Sequence, residues 1–415
     1  MKNLQSHAAR ILFLTLGVVV SAPASAFEAI DTTPWPSRGT FPAYPGEPTG
    51  QTDVWFQAGI LHDDNVLRTE TGAQSDTIAR YGGGIRHESR LVGRQRVRFE
   101  ARGDYYDYRH FNELDNFAYG LAGDWLWEIG NNWSGSVFLG QSRRQVDMGE
   151  TQAARLDTVT STSFGATAGY LITPRFRLRG GVLGTHDERK QATETETRTA
   201  TVTAAAEYVS PLANTVGLEY RLTNGNAPEL EFVDPLGAFV SNDYTEHELA
   251  LVSSYALGSQ LRASIRLGYT RRDYDEVASR DFDGWTGRIG VDWFPGTKTV
   301  LGFLAYHEPR SIIEVSASHV LVSGVAFVPR WAVTNQVVLH ARFARERRQF
   351  EGDPALTAGA TLQDEYATLV RFGLGWEPQR RWMVGFAVEH GERESNVVGR
   401  DYQYNAVMAN LGYQW

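Results

Sequence analysis

The sequence predicts an all-β fold, a transmembrane antiparallel β-barrel of the bacterial outer membrane with about 18 strands, within a range of 16 to 20. Apolar and polar residues alternate with a period of two through segments of about ten residues or more, and helical periodicity is almost absent after residue 26. Short turns alternate along the chain with longer polar connections. Tryptophans are concentrated beside the short turns. These three observations together are typical of outer-membrane barrels.

The segment 261–274, LRASIRLGYTRRDY, shows the alternation most clearly. One face carries Leu261, Ala263, Ile265, Leu267 and Tyr269, and the other carries Arg262, Ser264, Arg266, Gly268 and Thr270. An arginine that faces lipid at the bilayer midplane costs roughly 2 to 4 kcal/mol. The apolar face is therefore expected to face lipid and the arginines the lumen, and the segment is expected to be the eleventh strand.

Two kinds of connection separate the predicted strands. The short turns lie at 92–93, 130–132, 171–174, 210–212, 257–259, 294–297, 328–330 and 377–379. The longer, polar connections lie at 69–75, 110–116, 146–155, 188–198, 224–243, 275–280, 351–363 and 394–400. Outer-membrane barrels have short periplasmic turns and longer extracellular loops. The pattern therefore assigns the short turns to the periplasmic rim, where an even strand count also places both ends of the barrel.

Aromatic residues distinguish the two rims. The tryptophans beside the short turns are Trp127, Trp133, Trp293, Trp331, Trp376, Trp382 and Trp415. Tyrosines close to the long connections are Tyr105, Tyr108, Tyr269, Tyr274, Tyr306 and Tyr366. The final segment, YNAVMANLGYQW, ends on an aromatic residue and resembles the signal by which barrel-assembly machinery recognises its substrates. The alternative is an ordinary terminal strand of a soluble β-sandwich.

The N-terminal region predicts export. Residues 1–26 contain Lys2 and Arg10, then an apolar run, then Ala24-Ser25-Ala26, the order of regions in a Sec signal peptide that is cleaved after Ala26. A buried N-terminal helix is the alternative. Residues 27–52 are rich in proline and are expected to form a periplasmic lead-in, which leaves 53–415 as the outer-membrane barrel.

Composition limits the classes of partner. The chain has no cysteine, so neither disulfides nor thiol chemistry are available. The formal charge of -9 argues against nucleic acid as a partner. Of the 40 basic residues all but Lys2, Lys190 and Lys298 are arginine, whose planar guanidinium pairs bidentately with carboxylates and phosphates.

The orientation rule gives a set of arginines that face the lumen. The predicted path for an anionic polymer consists of Arg80, Arg86, Arg96, Arg98, Arg102, Arg177, Arg179, Arg221, Arg262, Arg266, Arg288, Arg342 and Arg371, and the same rule also places Arg90 inside. The inward acids are expected to be Glu88, Glu100, Asp104, Asp124, Glu219, Glu248, Asp292 and Glu389. The lumen is therefore expected to be net positive. For any single arginine, a cross-strand ion pair that stiffens the wall is an equal alternative.

Three arginine clusters, at 141–145, 269–274 and 344–350, are expected at the outer rim. They would extend the positive surface to the outer mouth or bind lipopolysaccharide phosphates from outside.

No catalytic or metal site is predicted. The histidines are scattered and none belongs to a recognisable nucleophile and base arrangement, so an enzyme is not expected. His62-Asp63-Asp64-Asn65 has the acid density of a calcium loop but lacks its spacing and terminal glutamate, which favours a polar turn. No cofactor is expected.

Residues 53–140 carry a family resemblance. The pieces are Asp63-Asp64-Asn65 followed by Leu67-Arg68, Ser75-Asp76-Thr77, Gly93-Arg94-Gln95-Arg96, the aromatic stretch 105–111, and Trp127 with Trp133-Ser134-Gly135. They resemble the EpsL-type outer-membrane proteins of exosortase-associated exopolysaccharide operons, although Val66-Leu67 departs slightly from the pattern. The resemblance implies export of a new exopolysaccharide, in series with periplasmic and inner-membrane export proteins.

The leading expectation is thus an outer-membrane channel that exports an exopolysaccharide, an anionic one given the arginines. A porin or uptake channel for small anionic solutes is the first alternative. A surface scaffold or adhesin that binds through long loops, notably 224–243, is the second.

Overall fold

A computed structural model describes most of the chain from residue 52 to residue 415. Positions 147, 152–154, 192–195, 227–231, 234–238, 242, 277, 279–280, 311–318 and 352–362 are outside the described residues, as are the predicted signal peptide at 1–26 and residues 27–51 of the predicted lead-in. Among the described residues, no helix is long and apolar enough to cross a membrane.

Eighteen long strands form the fold. They are β1 (Thr52–Asp63), β2 (Asp76–Arg90), β3 (Arg96–Tyr108), β4 (Asn116–Ile129), β5 (Trp133–Gln145), β6 (Thr158–Thr173), β7 (Phe176–Arg189), β8 (Thr197–Val209), β9 (Thr215–Asn226), β10 (Tyr244–Leu257), β11 (Leu261–Tyr274), β12 (Phe282–Trp293), β13 (Thr299–Arg310), β14 (His319–Ala332), β15 (Val337–Glu351), β16 (Asp364–Trp376), β17 (Trp382–Ser395) and β18 (Tyr402–Gln414). A one-turn helix α1 (Met148–Thr151), a 3-10 turn Asn112–Leu114 and a two-residue hairpin (Phe232–Val233 with Phe239–Val240) lie in the connections.

The strands close into one antiparallel barrel. Each strand pairs with its neighbours in sequence, and β1 also pairs with β18, from Trp55 opposite Gln414 to Asp63 opposite Ala406. The predicted fold class and strand count are therefore confirmed, and 261–274 is the eleventh strand, as predicted. Closure matters physically because it leaves no strand edge with unpaired N–H and C=O groups in a medium without water.

The two faces of the wall differ in chemistry. Large apolar side chains such as Phe56, Leu139, Trp285 and Phe372 are exposed on the outer face. Directly opposite residues of an antiparallel pair share a face, so the register assigns the other alternate positions to the lumen. On β11 the inward side chains include Arg262 and Arg266, in agreement with the orientation rule.

The short connections join the strands at one rim, and one predicted turn is wrong. Gly130 and Gly258 take positive φ values of 61° and 54° in tight turns, a conformation that glycine adopts without a steric penalty. Residues 328–330, predicted as a turn, instead lie within β14, and the chain turns at 333–336. The turn was predicted there because the segment contains Pro329. It has no N–H to donate, and the β14–β15 ladder is interrupted beside it, between Phe327 and Arg330.

The aromatic rims agree with the prediction only in part. The tryptophans beside the short turns, among them Trp133, Trp293 and Trp382, lie on the outer face. Near the long loops, Tyr105 and Tyr269 also face outward. Tyr108, Tyr274 and Tyr306, however, face the lumen and are buried there. The loop-side belt is therefore thinner than the sequence suggested, because half of its tyrosines serve the interior.

Candidate functional site

The inner wall of the barrel is the candidate functional site, since the outer face is apolar. All thirteen arginines of the predicted path lie on the inward face, because each stands opposite an inward residue of the neighbouring strand. Their role as a path for a polymer stays a prediction.

The structure corrects the charge of the wall. Among the described strands, the inward face also carries Asp53, Asp63, Asp76, Glu128, Asp187, Glu207, Glu246, Glu308, Glu346 and Glu365, which the prediction omitted. It also carries Arg144, Arg189, Arg272, Arg310, Arg330, Arg348 and Arg393. The excess of arginine over acid within these strands falls from six to three. The signal was present in the sequence: Glu246 is two residues from Glu248 and Glu346 four from Arg342, so each pair shares a face.

Most of the predicted arginines form ion pairs with inward acids. The pairs are Arg80 with Asp104, Arg86 with Glu100, Arg96 with Glu88, Arg98 with Asp124, Arg177 and Arg179 with Glu207, Arg221 and Arg266 with Glu248, Arg288 with Glu308, and Arg371 with Glu389. The alternative reading of these arginines, as cross-strand ladders, therefore describes their geometry. An arginine held by a carboxylate offers less to a passing anion than a free one.

The largest of these ladders surrounds Glu219 on β9. Its carboxylate is 2.8 Å from both Arg179 and Arg266 and 3.6 Å from Arg221, and its side chain is 5% exposed. Glu248 takes two further hydrogen bonds from Arg266, at 2.8 and 2.6 Å. This network crosses five adjacent strands, β7 to β11. It fixes the arginines in place on that side of the wall.

Two predicted arginines are free of such pairs. Within the described part of the chain, no carboxylate lies within 4.0 Å of Arg102 or Arg262. Arg262 lies over the ring of Phe294, 5.4 Å from its centroid. Arg102 is exposed to the lumen. Arg342, on β15, faces Arg371 across the β15–β16 pair.

The Asp63-Asp64-Asn65 motif fixes the first long loop to the barrel. Arg68, with φ 55°, forms a two-pronged pair with Asp63, and its guanidinium lies 3.5 Å from the ring centroid of Tyr404. The Asn65 side chain donates to the carbonyls of Thr69 and Gln403, at 2.9 and 3.0 Å. These contacts pull the loop into the lumen.

Asp64 extends this motif to the closing strand. Its carboxylate accepts hydrogen bonds from the backbone N–H and the side-chain amide of Asn405 on β18, at 2.7 and 2.9 Å. The polar turn favoured from the sequence thus links the end of β1 to β18, the two strands whose pairing closes the barrel.

Three long loops pack inside the barrel rather than outside it. Val66, Leu114 and Met148, one from each of the first three long loops, are buried with strand residues such as Leu61 and Tyr404 in one apolar cluster. Arg393 on β17, ion-paired with Glu365, donates to the carbonyl of Gly149 in α1. The third loop therefore reaches from β5 across to β17 and narrows the lumen over β17, β18 and β1 to β3.

The neighbouring sector of the wall, from β3 to β7, contains an open recess of about 490 Å³. Small residues form its floor: Gly120 and Ala122 on β4, Gly140 and Ser142 on β5, and Ser161 and Ser163 on β6. Charged residues stand at both sides, Arg86, Arg98 and Arg102 towards β3 and Asp187 on β7. The sequence rule found the arginines but not the recess, because the rule followed charge and apolar residues and ignored small ones.

The arginine clusters predicted at the outer rim divide between the two faces. Arg144, Arg272 and Arg348 face the lumen, whereas Arg143, Arg271, Arg345 and Arg347 face outward. Arg345 and Arg347 both lie over the ring of Tyr366, at 5.3 and 5.5 Å.

Comparison with known proteins gives one family match. The family model described as "Putative beta-barrel porin 2" matches residues 252–415. The match supports a porin-type barrel of the outer membrane. It does not include residues 53–140, so the EpsL-type resemblance stays a prediction. No curated protein matches this chain.

Solved structures of outer-membrane proteins match over most of the chain at low sequence identity. The outer membrane protein opdK from Pseudomonas aeruginosa is 12% identical, with 88% of this chain and 99% of that chain covered and a TM-score of 0.48. OccK2 (OpdF) from the same organism is 13% identical, with coverages of 88% and 97% and a TM-score of 0.48. OccAB3 from Acinetobacter baumannii is 10% identical, with coverages of 88% and 98% and a TM-score of 0.45. These values are too low to transfer a substrate from those proteins to this chain.

Proposed function

We propose that this chain is an outer-membrane channel that passes small, charged, polar solutes. The observation that carries the proposal is the chemistry of the wall: an 18-stranded barrel, apolar outside, with ion pairs and hydroxyl groups inside. Barrels of 16 to 18 strands enclose an aqueous channel. A solute that crosses such a lumen keeps its hydration or exchanges it for polar groups of the wall.

The balance of charge favours small solutes over an anionic polymer. A polymer path needs many weak, replaceable cationic contacts along the wall. Here most arginines are already held by carboxylates, and the first three long loops occupy one sector of the lumen. Free cationic sites are therefore few and local, which suits a solute of limited length.

Exopolysaccharide export is the second candidate, and the resemblance over residues 53–140 favours it. The structure adds one supporting point, since the resembling residues Asp63, Asn65 and Arg68 hold a loop inside the lumen. A loop of this kind would keep an export channel closed until periplasmic partners engage. The polymer's sugar and its export partners belong to this candidate.

Conductance of the purified barrel in planar bilayers, with permeation in liposome-swelling assays, separates the two candidates. A solute channel conducts continuously and admits small charged and neutral solutes according to size. An export channel without its partners conducts no current and admits neither charged nor neutral solutes. Secretion of the polymer stops when the gene is removed. Absence of conductance and of swelling under all conditions would overturn the proposed solute channel.

The outward arginines at the outer rim are proposed to contact lipopolysaccharide phosphates. Arg345, held over the ring of Tyr366, presents its guanidinium group on the lipid-facing side. Arg347 lies over the same ring but is also ion-paired with Asp364 at 2.6 Å, so it contributes less to this contact. Replacing both by glutamine should lower retention of labelled lipopolysaccharide by the purified barrel. Unchanged retention would contradict this contact.

A further inference from the structure

We infer that the recess over β3 to β7 binds a zwitterionic solute, with Arg102 holding its anionic end and Asp187 its cationic end. The inference rests on the proposed solute channel and names the substrate class of that channel.

The register places the two charges in one row of the sheet. Arg102 is opposite Gly120, Gly120 opposite Ser142, Ser142 opposite Ser161, and Ser161 opposite Asp187. All five positions therefore face the lumen in one row across the strands. The row begins with a cation, ends with an anion, and has only small residues between them.

Arg102 is directed along this row by the absence of a side chain at Gly120. A Cβ atom at Gly120 would lie 2.9 Å from Nε of Arg102 and 3.4 Å from its Cγ, so the arginine lies flat across β4. Its guanidinium group is thereby placed at the edge of the recess that Gly120 and Ser142 also line. The arginine is exposed to the lumen and, within the described residues, has no carboxylate within 4.0 Å.

The other charges around the recess are already neutralised. Arg86 pairs with Glu100 at 2.5 Å, and Arg98 pairs with Asp124 at 2.9 Å. Asp187 is half-buried, and no ion pair joins it to any other described residue. The recess therefore offers one free positive and one free negative group, whereas the notion of a purely anion-attracting wall fits it poorly.

The floor supplies uncharged polar contacts between these ends. In the described structure the hydroxyls of Ser142, Ser161 and Ser163 make no hydrogen bond to another protein side chain. Hydroxyls both donate and accept, so they fit peptide groups and sugar hydroxyls alike. A larger side chain in this floor would fill the recess.

The spacing sets the length of the ligand. From β4, where the guanidinium lies, to β7 there are three strand spacings, about 14 Å along the wall, and side chains converge inside a closed barrel, which leaves on the order of 10 Å. At about 3.3 Å per extended residue, this distance matches a zwitterion the size of a tripeptide. Free amino acids are too short to reach both groups.

The test is current block in planar bilayers by triglycine, N-acetyltriglycine and triglycine amide at neutral pH. The first carries both charges, the second only the carboxylate, and the third only the ammonium group. In the wild-type barrel, the concentration that blocks half of the current should be about tenfold lower for triglycine than for either capped peptide. The reason is that each charged end of triglycine contributes a charge-assisted hydrogen bond. Glycine should block far less.

Two variants assign the ends of the site. Arg102→Gln should abolish the advantage of triglycine over triglycine amide, and Asp187→Asn should abolish its advantage over N-acetyltriglycine. Arg262→Gln is the matched control, because it removes another inward arginine without an ion pair, and it should leave all three peptides unchanged. If the barrel conducts and the three peptides block its current equally, the zwitterion site is overturned while the proposed channel stands. A barrel that does not conduct overturns the proposed channel instead.

Discussion

Replacing Glu219 by glutamine tests whether the arginines of the largest ladder are part of the scaffold. Glutamine keeps the size of the side chain and one acceptor oxygen but removes the charge that three arginines share. Breaking one partner out of a buried ion pair costs about 3 to 5 kcal/mol. Because Glu207 and Glu248 still hold the same arginines, the expected loss is near the lower end, about 3 kcal/mol.

The matched control is Glu88→Gln. Glu88 lies 4.0 Å from Arg96, and both side chains are partly exposed to the lumen, so this pair should contribute less than about 1 kcal/mol. The free energy of unfolding would be measured from urea titrations of the barrel in lipid vesicles, followed by tryptophan fluorescence. The double variant Glu219→Gln with Arg266→Gln should also be measured. Its loss of unfolding free energy should be at least about 1 kcal/mol smaller than the sum of the losses of the two single variants.

Equal stability of the Glu219→Gln and Glu88→Gln barrels would refute the reasoning. It would mean that water in the lumen screens the buried network as well as the exposed pair. The arginines around Glu219 would then be available to solutes, and the argument against an anionic polymer path would lose its main support.

Three further predictions concern the loops and the recess. Asn65→Ala should free the first long loop from Gln403 and raise single-channel conductance, and unchanged conductance would show that this loop does not narrow the pore. Met148→Asp should place an uncompensated charge in the loop cluster and displace the third loop, with more frequent opening in bilayer recordings; a barrel that fails to assemble is told apart by its heat-modifiable mobility on a gel. Gly120→Val should push Arg102 off β4 and weaken block by triglycine without changing the open-channel conductance, whereas block as strong as in the wild type would show that this placement is irrelevant.

The period-two pattern was enough to predict the barrel, its strand number and the inward face of the fourteen arginines assigned by the orientation rule. This works because lipid penalises a misplaced arginine strongly, so the pattern is under one dominant physical constraint. Proline defeated it at Pro329, which reads as a turn but is tolerated inside β14 where the ladder is interrupted. Local sequence does not show whether the neighbouring strand tolerates a carbonyl group that receives no N–H from this position.

The candidate site was less accessible to sequence reasoning for a different reason. Which carboxylate neutralises which arginine depends on the register between strands, and the register is set by turn geometry and closure. Glu219 and Arg266 are 47 residues apart and meet only because β9, β10 and β11 align. The inward folding of the loops was equally hidden, because residues such as Val66 and Met148 sit in polar segments.

Charge pairing changes what an arginine-rich lumen selects. A wall of free arginines would attract any anion and hold a long one at many points. When nearly every arginine is matched by an acid, the long-range attraction cancels and only unmatched groups act, at close range. In this barrel one row brings an unmatched cation and an unmatched anion together across a floor of glycine and serine. Selectivity then depends on the distance between the charges of the solute, so a tripeptide-sized zwitterion is favoured over a simple anion of the same size.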